Sequence, residues 1–168
     1  VDTRQYRDAV VDASDKEALN GENRSILGQE QERWMHERFQ SSPARWNVLT
    51  NSVVVAPIAD DKVDQWDGFP SSRKRLLQTF RNIQNPVVLT GDIHQHCAAE
   101  LWGEADEPVG IELICTSIAS DGDGQPGSSS DDWLKHPYVK KMDQRRGYIF
   151  VEVTKKQLNA QFVVVPYV

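Results

Sequence analysis

The tetrapeptide Gly91-Asp92-Ile93-His94 follows directly on the apolar run Pro86-Val87-Val88-Leu89-Thr90. One carboxylate and one imidazole, two residues apart, are donors for a hard to borderline metal ion. Side chains at that spacing in extended backbone point to one side. A turn-capping aspartate beside a surface histidine has the same spacing, so the pair alone does not choose. Its position does. A continuous apolar run marks a strand buried on both faces, and open α/β sheets bind ligands beyond the carboxyl ends of their strands. Gly91 is expected to supply the sharp turn there.

Asn51 ends the run Trp46-Asn47-Val48-Leu49-Thr50 and so occupies a place like that of Asp92. Its carbonyl suits a hard cation or a phosphate-binding corner, and equally a turn or a satisfied core amide. Arg4, in Asp2-Thr3-Arg4-Gln5-Tyr6-Arg7, has the planar fork that clamps phosphate, or is an ordinary exposed charge. Trp66-Asp67-Gly68-Phe69-Pro70 reads as a turn with an aromatic on each side, either a pocket wall or a packed corner. Lys140, Lys141, Arg145 and Arg146 read as a solvated charged stretch. Trp34 and Trp46 are expected in the core.

The elements that position these residues come from periodicity. Residues 1–6 fit a short strand and 12–23 a polar loop. A helix is expected over 28–40, with Leu27, Trp34 and Phe39 near one face, ended by Ser41-Ser42-Pro43. Val-rich residues 46–56 read as a strand and 60–70 as a loop. A second helix over 71–82 buries Leu76, Leu77, Phe80 and Ile83, with Ser71 or Ser72 as its cap. Residues 86–90 form the buried strand, its Pro at the first position. Strands follow at 97–102, 109–116, 147–153 and 158–165, the last two as a hairpin turning at 154–157. Residues 117–132, rich in Gly, Ser and Asp, form the longest loop. Helix–strand–helix–strand followed mostly by strands gives a layered α/β fold with a mixed sheet.

Composition narrows the partners. The 168 residues carry a net charge of −6, which disfavours binding to a nucleic-acid backbone. A small phosphate ester stays open, because a bound metal reverses the local field. Two cysteines, Cys97 and Cys115, make no disulfide framework. No apolar run approaches the ~20 residues of a membrane-spanning helix. No signal peptide is visible, but the chain opens at Val1 without Met, so upstream sequence is expected, which leaves an export signal open.

In order and spacing these segments resemble the PhoD-like (alkaline phosphatase D) metallophosphoesterases. The resemblance rests on Val1-Asp2-Thr3-Arg4-Gln5-Tyr6-Arg7 and on Ile26-Leu27-Gly28 leading to Gln31 and Trp34. It continues through Trp46 to Ser52, Trp66-Asp67-Gly68-Phe69-Pro70 and Leu89-Thr90-Gly91-Asp92-Ile93-His94. Thr116-Ser117-Ile118 and Arg145-Arg146-Gly147-Tyr148 complete it.

The resemblance implies an α/β fold, the C-terminal half of a four-layer α/β/β/α sandwich with a mixed sheet. It implies hydrolysis of phosphate mono- or diesters by metal-activated water, with Ca2+ and Fe3+ as the metals. Asp92 and His94 match the late Gly-Asp-x-His motif and become the catalytic and metal-binding candidates, with Asn51 as a further metal candidate. Arg4, Asn51 and Asp67 become the substrate-binding candidates. His96 is expected to be a neighbour rather than a ligand. An exported parent protein, periplasmic or extracellular, is also implied. Amide and carboxylate where broader metallophosphoesterases have imidazoles favour a harder ion such as calcium.

The family's early metal motifs are missing from this sequence. The chain is therefore expected to need an N-terminal half, to be inactive alone, and to self-associate through surface left bare. A truncated module that only binds ions or a partner is the alternative.

Overall fold

The computed structural model describes residues 1–58, 64–120 and 133–166. Its centre is a five-stranded mixed sheet. β1 (Asn47–Thr50) and β2 (Pro86–Thr90) run parallel, and β4 (Pro108–Ile114) continues the parallel set beside β2. β3 (His96–Trp102) and β5 (Val139–Asp143) follow antiparallel, giving the order β1-β2-β4-β3-β5. Pro86 opens β2, where Asn47 pairs with it and no ladder donor is lost from the strand's interior.

Side-chain alternation divides the sheet into two faces. Leu49, Val88, Cys97, Ala99, Leu101 and Ile114 join the main core. Packed on that core are α2 (Gln29–Gln40) and α3 (Pro70–Phe80), which bring Met35, Leu76, Leu77 and Phe80. Phe39 meets Phe80 edge-on at 5.7 Å. A short 3-10 turn, Trp66–Gly68, feeds α3 and buries Trp66 completely, with Phe69 beside it. The opposite face carries the hairpin of β6 (Gly147–Val153) and β7 (Leu158–Val164). There Phe162 meets the buried His96 edge-on at 5.1 Å and lies under the Lys141 ammonium. The described residues thus stack as helices, sheet and hairpin.

Several sequence expectations change. Residues 1–6 bend rather than form a strand, and the expected strand over 46–56 stops at Thr50. Val53, Val54, Val55 and Ala56 are buried without a ladder because the fully buried Glu112 carboxylate takes the N–H groups of Val55 and Ala56. The loop 12–23 contains one helical turn, α1 (Lys16–Leu19), capped by Asp15. Neither Ser71 nor Ser72 caps α3. Pro70 starts it, and Ser72 donates to Glu32 instead. Lys140 and Lys141 belong to β5, the other edge of the sheet, where lysines discourage edge pairing. Trp34 is 52% exposed, and Trp46 is half-buried and donates to Thr154 O at 2.8 Å. The part of the long loop over 121–132 lies outside the described residues.

One buried polar centre ties the helical layer together. Glu32 of α2 accepts from Ser25 Oγ, from Ser72 Oγ at 2.8 Å and from Arg75 Nε, and His36 Nε2 lies 3.5 Å away. Burial raises the carboxyl's pKa, but the bonds from His36, Arg75, Ser25 and Ser72 outweigh it and bring it down to about 2.

The outer face of the hairpin carries exposed aromatic side chains beside the polar Glu152, Asn159 and Gln161. Tyr148 pairs across the strands with Val163, and Tyr148 and Phe150 are 45% and 53% exposed. Aromatic surface of this kind promotes association. The pure chain should therefore sediment as a concentration-dependent oligomer, and Phe150→Lys should shift it towards monomer. A wild-type chain that stays monomeric at every concentration would refute this.

Candidate active site

The carboxyl ends of β1, β2 and β4 share one edge of the sheet. Asn51 N donates to Leu89 O at 3.1 Å, and Cys115 N donates to Thr90 O at 2.8 Å. The loops after all three strands, and the turn into β3, therefore leave from neighbouring points. This is where open α/β sheets place ligands.

Asp92 and His94 leave that edge in unusual backbone. Their φ angles are +77° and +54°, in the left-handed region that L-residues rarely adopt. Gly91, expected to take the sharp turn, does not have positive φ, and a Cβ there would find ordinary contact distances. The two candidate ligands carry the bend themselves. Aspartate and histidine tolerate that region better than most residues, and such outliers gather at functional sites.

Each is held by a different neighbour. Asp92 Oδ2 accepts from Gln65 Nε2 at 2.9 Å. His94 Nδ1 lies 3.1 Å from Ser120 Oγ, in the loop after β4. Both side chains are exposed. A hydrogen bond at Nδ1 restrains the ring's orientation, which metal-binding histidines require.

Arg4 reaches the same edge from the start of the chain. Thr3 Oγ1 and Ser52 Oγ, 2.6 Å apart, fasten this segment beside Asn51. Arg4 and Arg7 donate to one oxygen, Asp64 Oδ1, at 2.5 and 2.8 Å. The Arg4 bond holds the Asp64 carboxyl below its ordinary range. The same bond raises the Arg4 pKa, and Asp92 raises it further through its charge. Two guanidinium groups on one carboxylate leave one positive charge over, next to the Asp92 turn.

Asn51 is engaged in bracing. Its Nδ2 donates to Val53 O at 2.7 Å, while Oδ1 accepts from Val53 N and from Trp66 Nε1, both at 3.3 Å. Both lone pairs of the carbonyl oxygen are thus used within the protein.

The three-residue stretch Asp64-Gln65-Trp66 therefore holds one candidate with each member: Arg4, Asp92 and Asn51 in turn. Sequence reasoning passed over Asp64 and Gln65. The available signal was their position just before the Trp66-Asp67-Gly68-Phe69-Pro70 motif. Asp67 is placed elsewhere. It lines a groove of about 380 Å³ with Arg73, Pro57 and Trp102, and neither Arg4, Asn51, Asp92 nor His94 lines that groove.

Among the described residues, no three His, Cys, Asp or Glu side chains converge to hold a metal. Asp92 and His94 are chemically suited to a hard or borderline ion. Two donors fall short of the three or more that metal sites use, so further donors would have to come from outside these residues.

The model of the PhoD-like phosphatase family matches residues 1–162. Alkaline phosphatase D of Bacillus subtilis (strain 168) is 34% identical over 189 aligned positions, which cover 100% of this chain and 32% of that protein. A solved structure described as that of PhoD matches 99% of this chain and 36% of its own, with a TM-score of 0.88 and 34% identity. The chain thus spans about a third of the length of these relatives. With its sequence matched from Val1 almost to the end, and its mixed sheet superposing on that of PhoD, this chain belongs to the PhoD-like phosphatase family.

Proposed function

We propose that this chain is one part of a metal-dependent phosphate-ester hydrolase and supplies a corner of its active site. The observation that carries the proposal is the convergence of Arg4, Asn51 and Asp92 on Asp64-Gln65-Trp66 at the carboxyl edge of the sheet. Asp92 and His94 are the residues that would hold metal, with other donors provided by the rest of the protein. Calcium and ferric iron are the ions implied by the family resemblance. Bound metals supply the positive charge that polarises the phosphoryl group and activate water as nucleophile.

The protein's own residues have separate tasks in this reading. Arg4, pre-oriented by Asp64, presents its fork to the non-bridging oxygens of the ester. Arg7 shares Asp64 and keeps that carboxylate from repelling the phosphate. Gln65 aims the Asp92 carboxylate. Asn51 holds the turn after β1, and Ser120 sets the ring of His94. A fourth, helical layer beyond the hairpin would complete the α/β/β/α sandwich.

Two preparations test the proposal. The complete protein should hydrolyse a chromogenic phosphate ester and lose that activity to a chelator. The 168-residue chain alone should show no metal-dependent turnover, because metal electrostatics dominate this reaction and the donor set is incomplete. Chelator-insensitive activity in the complete protein would end the metal reading. Full activity in the isolated chain would end the shared-site reading.

A further inference from the structure

Two motifs have no task in the chemistry above, Thr116-Ser117-Ile118 and Arg145-Arg146-Gly147-Tyr148. The structure bonds them to each other. Gly147 N donates to Ser117 O at 3.1 Å, and Arg146 Nη1 reaches Ser120 O at 3.5 Å. The start of β6 thus holds the loop that follows β4. A Cβ at residue 147 would stand 1.8 Å from Val163 O of the paired strand β7, so glycine is what lets β6 lie this close. At the root of the loop, the buried Thr116 donates its N–H to Nδ1 of the buried His96 at 3.4 Å.

Inside the loop, Ser117 Oγ accepts from Ala119 N at 3.3 Å and from Ser120 N at 2.7 Å. A serine oxygen that takes the N–H groups two and three residues on closes a local turn. Ser120 is therefore held on both sides, its N–H by Ser117 and its C=O by Arg146. Its hydroxyl stands 3.1 Å from His94 Nδ1. His94 itself lies in a bend at positive φ, outside any strand, so its ring depends on support from elsewhere.

We propose that Ser117 is a positioning residue for His94. Anchored by the hairpin through Gly147, it fixes Ser120, and the Ser120 hydroxyl fixes the ring. The inference rests on the reading of His94 as a metal ligand. With Nδ1 engaged by Ser120, Nε2 is the nitrogen left for an ion, and Nδ1 then keeps its proton and donates it to Ser120 Oγ. Metal sites lose about ten- to a hundredfold in affinity or activity when a support of this kind is removed. The hairpin then serves the site without contributing a group to it.

The test is made in the complete protein with isotope-labelled histidine rings, followed by nuclear magnetic resonance. His94→Gln identifies the His94 signals by their loss. Ser120→Ala should shift the Nδ1 signal. Ser117→Ala should shift it in the same sense, while the signals of His36, on α2, stay in place. Ser117→Ala should also lower kcat for a chromogenic phosphate ester about tenfold, with KM and Tm almost unchanged. Ser117→Thr, which keeps the hydroxyl, should restore both the signal and kcat. In the Ser120→Ala background Ser117→Ala should add almost nothing, because the two act through one bond. Gly147→Ala should reproduce the ring shift, and if that variant does not fold, the Ser117 variants decide.

An unmoved Nδ1 signal in Ser117→Ala would overturn the proposal. So would losses that multiply in the double variant, or a fall in kcat that only tracks a fall in Tm. A shifted ring in Ser117→Ala together with wild-type turnover in His94→Gln would uphold the positioning and end the reading of His94 as a ligand.

Discussion

In a complete PhoD-like phosphatase carrying this segment, Asp92→Asn should lower kcat by about a hundredfold or more while moving Tm by no more than a few degrees. The reasoning combines backbone and charge. Asn tolerates the left-handed conformation at +77° as well as Asp does, so the turn survives. Asp92 is exposed and its carboxylate accepts from Gln65, so little folding energy is at stake. What disappears is the negative charge that a metal and the reacting centre would feel. Arg4→Lys should behave differently. It keeps the charge but loses the fork, so KM should rise roughly tenfold with a smaller change in kcat. Asp92→Asn with wild-type turnover would remove Asp92 from the mechanism. A loss of activity matched by a large loss of Tm would make its role structural.

The largest effect on stability is expected at Glu32. Glu32→Ala would leave Arg75, Ser25 and Ser72 facing a cavity without their acceptor. Breaking a buried charge network from one side costs about 3–5 kcal/mol, which for a domain of this size lowers Tm by roughly 10 °C. The pH dependence has a definite sign. The folded pKa of about 2 lies below the ordinary 4.5, so the carboxylate form is what the fold stabilises. Its contribution, about 3 kcal/mol at most, is complete above about pH 5 and is lost as pH falls towards 2. Glu32→Gln should flatten the acid limb of a plot of unfolding free energy against pH. An unchanged limb would show that the centre is not the source of acid sensitivity.

The regular elements were legible in the sequence wherever burial has a period. Leu76, Leu77 and Phe80 announce α3, the run through Leu89 announces β2, and the hairpin of β6 and β7 follows from its alternation and turn. Legibility failed where side chains replace ladders. Val53 to Ala56 look like a strand because they are apolar and β-branched, yet their N–H groups go to Glu112, a partner distant in sequence. β5 was hidden because an edge strand with lysines imitates a solvated stretch. Trp34 was expected inside because its helix is amphipathic, but its side chain borders a groove along β1.

The candidate site was legible as a set of residue types at strand ends, and less so as geometry. Arg4, Asn51 and Asp92 do gather, through neighbours that carry no motif of their own. The two-residue spacing of Asp92 and His94 suggested extended backbone. Instead both sit at positive φ, so spacing alone could not say where their side chains lead.

The stretch Asp64-Gln65-Trp66 has a consequence for genetics. Because its three members are joined by consecutive peptide bonds, a shift of one moves the others, and with them Arg4, Asp92 and Asn51. Residues sharing one such support do not contribute independently. Variants at Gln65 or Trp66 would carry most of the damage that variants at Arg4 or Asp92 carry, and adding the second change to the first would cost little more. Along this edge the unit that mutation acts upon is the latch as a whole, and the effects of its parts are epistatic rather than additive.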